Sequence, residues 1–125
     1  MPNWFPAHEV VAYASAARTA DPTDVEIANT YNHPRALIFI DCTASSATPS
    51  VVFNILVECQ GANDYFEVID SAAVTGAGNT VMMLGAGAEV TDLATVYPPG
   101  RRIKIDPVHA DADSITYSVH VLFTN

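Results

Sequence analysis

The sequence predicts an all-β protein: a single eight-stranded antiparallel β-sandwich, jelly-roll-like, with an extended N-terminal arm. Three observations lead there. Apolar and polar residues alternate with period two in three separate segments. No long window carries the 3.6-residue period of an amphipathic helix. Turn residues, chiefly Gly, Pro, Asn and Asp, cut the chain at roughly regular intervals.

Taken in order, residues 1–9 show no pairing pattern and read as the arm; residues 10–125 form the sandwich domain. Val10 to Ser15 is apolar and small, and Val25 to Ala28 is short. Arg35 to Cys42 is nearly all apolar, which predicts a central strand covered on both faces. In Val51 to Gln60 the odd positions Val51, Phe53, Ile55, Val57 and Cys59 face a core, while Asn54, Glu58 and Gln60 face water. These last two strands read as a hairpin around the loop 43–50. Tyr65 to Asp70 and Asn79 to Leu84 are bounded by Gly61-Ala62-Asn63-Asp64, Gly76-Ala77-Gly78 and Gly85-Ala86-Gly87. Glu89 to Thr95 has room for one helical turn before Pro98-Pro99-Gly100. Ile103 and Ile105 point inward from Arg101 to Asp106, with Arg102, Lys104 and Asp106 outward. The last segment alternates most cleanly: Ile115, Tyr117, Val119, Val121 and Phe123 against Ser114, Thr116, Ser118, His120 and Thr124.

Composition bounds the function. The chain has 125 residues, half of them hydrophobic and 15% charged, which is one domain with enough core to fold without metals or disulfides. Fourteen acidic residues against five basic ones leave a formal net charge of −9, so nucleic acid is an improbable partner because its phosphates are repelled. Met1 to Pro6 has neither the basic stretch nor the apolar run of a signal peptide, and no stretch approaches a membrane helix of ~20 apolar residues. The expectation is a chain made and kept in a cytosol, or assembled there into something larger, with no membrane partner. In the hairpin register Cys42 and Cys59 stand more than ~20 Å apart, too far for a disulfide, and both read as small buried hydrophobes.

Motifs for chemistry are incomplete. His8-Glu9-Val10-Val11-Ala12 begins like a zinc-protease helix, but Ala12 replaces the second histidine. Gly76-Ala77-Gly78 and Gly85-Ala86-Gly87 lack the third glycine of a dinucleotide fingerprint and precede no helix. No Gly-x-Ser-x-Gly elbow occurs. Asp106, His109, Asp111 and Asp113 crowd one loop, but without calcium-loop spacing, and read as a solvated turn. The expectation is a non-enzymatic protein with no catalytic, cofactor or metal residues.

Two features point to partners instead. Arg101, Arg102 and Lys104 hold three of the five positive charges. They read either as an ion-pairing contact to an acidic partner surface, a copy of the chain included, or as protection of an exposed sheet edge. Trp4 and Phe5, bracketed by Pro2 and Pro6, are large aromatics on a terminus. They dock on a neighbouring subunit or fold back on their own domain.

Two segments carry a resemblance. One is Arg35-Ala36-Leu37-Ile38-Phe39-Ile40-Asp41-Cys42 through Thr48-Pro49 to Ile55; the other is Tyr97-Pro98-Pro99-Gly100-Arg101-Arg102-Ile103-Lys104-Ile105 followed by the strand to Phe123, with Ser71-Ala72-Ala73-Val74-Thr75-Gly76 between them. This order of an arginine-led strand, a Thr-Pro loop, an Ala-rich turn and a Pro-Arg-basic strand resembles small β-sandwich virion proteins of tailed bacteriophages, over about residues 35 to 123. The resemblance implies a structural role in a virion, most like a capsid decoration (cement) protein on the capsid surface, partnered by the major capsid protein and by itself as a homotrimer. It also implies an alternative, a neck or tail component. A carbohydrate-binding sandwich is the third reading, and needs a row of aromatics on one sheet face.

Overall fold

The computed structural model describes residues 6–62, 64–85, 94–95 and 97–125. Among them nine strands form: β1 (His8–Arg18), β2 (Val25–Ala28), β3 (Arg35–Ser45), β4 (Val51–Cys59), β5 (Asp64–Asp70), β6 (Gly78–Gly85), β7 (Ala94–Thr95), β8 (Arg102–His109) and β9 (Ile115–Thr124). The eight expected strands are all present. The ninth, β7, pairs parallel with β6, so the sandwich is not wholly antiparallel. Thr95 therefore lies in a strand rather than a helical turn, and residues 89–93 of that expected turn lie outside the described residues. His8 and Glu9, assigned by pattern to the arm, pair with Phe123 and Leu122, and residues 1–5 lie outside the described residues.

The strands form two sheets, ordered β1-β9-β3-β6-β7 and β2-β8-β4-β5. With β7 set aside, the remaining eight strands alternate between the sheets in the winding of a jelly roll. Among those eight, only β4 and β5 are consecutive neighbours in one sheet. This corrects the hairpin reading of β3 and β4, which belong to different sheets. Period two states which face of a strand is buried, and a strand in either sheet satisfies it. The connecting loop crosses the end of the sandwich and is held there by loop 110–114. Ser46 N–H donates to the Ser114 carbonyl at 2.9 Å, Thr48 N–H to Asp113 Oδ2 at 3.2 Å, and Ala110 N–H to the Ser50 carbonyl at 2.9 Å.

The core lies between the sheets. Ile38, Ile40, Met82, Leu84, Val119, Val121 and Phe123 of one sheet meet Phe53, Ile55, Ile103 and Ile105 of the other, all buried. Phe53 packs edge-to-face on Tyr117, with ring centroids 5.1 Å apart at 86°. Its backbone is fixed as well: Ser71 Oγ accepts from Phe53 N–H at 2.9 Å, and Ser71 N–H donates to the Phe53 carbonyl at 3.0 Å. Pro107 faces inward on β8 beyond Ile105, the point where β2 stops pairing, so its missing N–H breaks no ladder bond on that side.

The cysteines are both free, though the hairpin register from which their separation was argued does not exist, and only Cys42 is buried. Cys59 closes β4 beside the turn at Gly61 and is exposed, which corrects its expected burial.

Candidate subunit-docking face

β3 is central, flanked by β9 and β6, yet only one of its faces is covered. Ala36, Ile38, Ile40 and Cys42 point into the core, and Arg35, Leu37, Phe39 and Asp41 point outward. The register carries this outer face across four strands. Leu37 is flanked by Leu122 and Met83, and Phe39 by His120 and Val81, with Val11 beyond His120. Val11, Phe39 and Val81 are 55%, 36% and 45% exposed, so three of the seven large exposed hydrophobics among the described residues fall in one row. A shallow groove of about 220 Å³ opens beside Phe39 and Val81, bordered by Asp41 and Asn79. Glu9 and His120 pair at 3.0 Å on the same face. The result is a largely apolar patch, interrupted by His120 and bordered by polar groups, the kind of surface that marks a contact with another molecule.

The outer face of the other sheet is charged, and it holds the predicted basic cluster. β8 lies between β2 and β4 over residues 103–105 and Arg102 is still paired with Ala28 of β2, so Lys104 sits inside the sheet and neither cation protects an outer strand edge. Their charges are met within the chain. Lys104 Nζ lies 3.4 Å from Asp24 and 4.3 Å from the centre of the Tyr65 ring. Arg102 reaches Glu58 at 4.0 Å. Arg101 is exposed, and its guanidinium donates to the Gln60 side-chain oxygen when that amide is turned toward it. Register explains the pairing: on β2 Arg102 sits opposite Ala28 and Lys104 opposite Glu26, and on β4 Lys104 sits opposite Leu56 while the ladder ends at Val57 and Ile103, one position before Glu58 and Arg102. Burial first, then Glu26 and Glu58, push the Tyr65 hydroxyl pKa above its ordinary value. Trp4 and Phe5 lie outside the described residues.

A polar cluster at one end of the sandwich has a structural purpose. A bulge between Tyr13 and Ala16 breaks the β1–β9 ladder. The Arg18 guanidinium fills the gap, donating to the carbonyls of Ala14 (2.7 Å), Ala16 (3.1 Å) and Tyr117 (2.7 Å). It lies 4.4 Å from the centre of the Tyr117 ring, a cation–π contact. His109 Nε2 is 3.1 Å from the Tyr117 hydroxyl, and its backbone N–H donates to Asp21 at 2.6 Å. Burial pushes the Tyr117 hydroxyl up to about 12 and the His109 ring below its ordinary value. A shallow groove of about 440 Å³ opens here, lined by Asp21, His109 and Asp111, but the polar contacts of Arg18, His109 and Tyr117 named above are all made within the fold.

The crowded acidic loop is dispersed by the fold. Asp106 stands on β8, Asp111 accepts from Asp113 N–H at 3.0 Å, and Asp113 holds Thr48. Among the described residues no group of three or more His, Cys, Asp or Glu side chains is placed to hold a metal ion. A groove of about 370 Å³ follows the Ala72–Thr80 segment and is lined by no ionisable side chain. His8 lies in β1, stacked near Phe123, not on a helix. The sequence did not reveal this open apolar face because Leu37 and Phe39 pass equally well for residues under a second layer; the signal was the same apolar strand.

No family model and no curated protein matches the chain. Among solved structures it is similar to a chain in the structure of infectious bursal disease virus Gx strain, with a TM-score of 0.48 and 13% identity over 96% of this chain and 33% of that one. It is also similar to a chain in the structure of infectious bursal disease virus Gt strain, with a TM-score of 0.44 and 16% identity over 95% of this chain and 33% of that one. The chain thus spans about a third of the length of the chains it matches.

Proposed function

We propose that this chain is a non-enzymatic virion structural protein, a capsid decoration protein that sits on the outside of a phage shell and stabilises it. The observation that carries the reading is the apolar outer face of β1, β9, β3 and β6, a surface built to be covered by another subunit. The turn and strand chemistry of residues 35–123 supplies the virion context. A sandwich whose interior is filled by Ile, Val, Phe and Tyr side chains is a rigid part for assembly. Arg101 and Arg102, which keep exposure, are the residues we assign to the major capsid protein, together with Trp4 and Phe5; Lys104 contributes less because Asp24 holds it. A protein that binds only the intact shell stabilises it by mass action.

The test compares heat-driven DNA release from particles with and without the protein, alongside its copy number per particle. Release at a higher temperature and hundreds of copies support decoration. Equal release temperatures remove the stabilising role, and a ring-sized copy number of about a dozen moves the protein to the neck. The carbohydrate-binding reading is not favoured: among the described residues the exposed aromatics Tyr31, Phe39, Phe66 and Tyr97 fall on separate segments and form no row.

A further inference from the structure

The outer face of β1, β9, β3 and β6 carries few acids for a strongly acidic protein, and as many basic groups. Of the acidic residues described, only Glu9 and Asp41 lie on it, and Glu9 is matched by His120. Its remaining charges are Arg35 and Asp41, which bracket Leu37 and Phe39 on the same side of one strand. Neither takes part in an ion pair among the described residues. The Arg35 side chain lies across Gly85, where an added Cβ would stand 3.0 Å from Arg35 Cγ. One strand therefore presents a positive end, an apolar middle and a negative end.

We propose that a second copy of this chain covers this face, related by a two-fold axis that crosses β3 at Ile38 and sets the two β3 strands antiparallel. The inference rests on reading the face as a subunit contact. Rotation about that axis exchanges positions equally far from residue 38. Arg35 of each copy then meets Asp41 of the other, and Leu37 meets Phe39, twice each by symmetry. On the neighbouring strand Met83 meets Val81 in the same way, because those residues share the rows of Leu37 and Phe39. The other way of stacking the two faces about a two-fold axis, with β3 strands parallel, places Arg35 on Arg35 and Asp41 on Asp41 and is repelled. Charge placement thus selects one orientation, and the low charge of the face lets two acidic molecules meet there.

The size fits. Four strands at ~4.8 Å spacing and seven residues at ~3.4 Å make a face of roughly 19 by 24 Å. Two such faces hide on the order of 900 Å² in projection, comparable with the ~1,000 Å² that specific contacts require. The closed pair stands in place of the trimer that the phage resemblance implies.

The experiment is analytical ultracentrifugation of the full chain over a concentration series, for the wild type, Arg35→Glu, Asp41→Arg and the double reversal. The wild type is expected to sediment as a dimer. Each single reversal turns two attractions into two repulsions and weakens association about tenfold or more. The double reversal restores opposite charges and should return most of the affinity. A monomer at every concentration, a stable trimer, single reversals without effect, or a double variant as weak as the singles would each overturn the proposal. Both side chains are exposed, so at a dilution where all forms are monomeric the variants should share the wild-type melting temperature; Asp41→Asn, which removes attraction without adding charge, serves if a reversal fails to fold. Because the readout needs no particle, a chain that dimerises but never joins virions refutes the function above and leaves the pair standing.

Discussion

Replacing Phe53 by Ala tests the packing of the whole sandwich. The ring is fully buried between the sheets and meets Tyr117 edge-to-face at 5.1 Å. Removing everything beyond Cβ takes away about 130 Å² of buried apolar surface, worth about 3 kcal/mol at ~25 cal/mol per Å². Loss of the aromatic pair adds about 0.5–1.5 kcal/mol. The total, about 4 kcal/mol, falls inside the ~3–5 kcal/mol seen for buried rings. With an m-value of about 1.5 kcal/mol/M, urea denaturation should show the midpoint falling by about 2.5 M with unchanged slope. For 125 residues the melting temperature should fall by about 15 °C. Phe53→Leu keeps most of the volume and should lose under half as much. A loss below ~1 kcal/mol for the alanine variant would refute the reasoning, since no fully buried ring between two sheets is that dispensable.

Further outcomes follow from single contacts. Gly85→Ala should destabilise by about 2 kcal/mol or more in the same urea assay, because its φ of +124° disfavours a side chain and the new Cβ would lie 2.5 Å from the Pro34 carbonyl. In the folded protein a maleimide should label Cys59 rapidly and Cys42 only after unfolding, as counted by intact mass; burial also raises the Cys42 thiol pKa. Asp106 has a raised pKa, first from burial and then from Asp24 and Asp21, so it favours the fold below the ordinary carboxylate range and that contribution is lost as pH rises through its folded value. Asp106→Asn should therefore raise the melting temperature at pH 7 and lose that advantage near pH 3. Tyr117, raised to about 12, stabilises the fold fully below pH 10 and loses this contribution between pH 10 and 12. Thermal melts across that window should steepen in the wild type relative to Tyr117→Phe.

Much of the fold was legible because period two survives in a chain with little helix propensity. The last strand is the clearest instance: all five of its odd positions from Ile115 to Phe123 are buried. What the pattern did not carry was sheet membership. β3 and β4 are joined by a short loop and look like a hairpin, yet the jelly-roll winding sends them to opposite sheets, and only long-range pairing with β9 and β8 decides this. β7 was illegible for a different reason, since two residues are too few to show any period. The basic cluster was visible, but its neutralisation was not. Glu58 and Asp24 lie 44 and 80 positions from the cations they meet, and the pairing exists only once β8 is flanked.

The two outer faces of the sandwich solve the same electrostatic problem in opposite ways. A chain with a net charge of −9 repels copies of itself at long range, so any surface that meets another copy must be locally different. The four-stranded sheet keeps its acids and places Arg102 and Lys104 among them, which stabilises the monomer but leaves little free charge to attract a partner. The five-stranded sheet sheds charge and keeps apolar side chains in the light: Phe39 and Val81 stand beside each other where Thr or Lys would serve an isolated protein better. Apolar side chains exposed on adjacent strands expose the protein to aggregation unless a fixed neighbour covers them. Arg35 and Asp41 then supply what apolar contact alone lacks, a register, because only one stacking of two such faces brings unlike charges together.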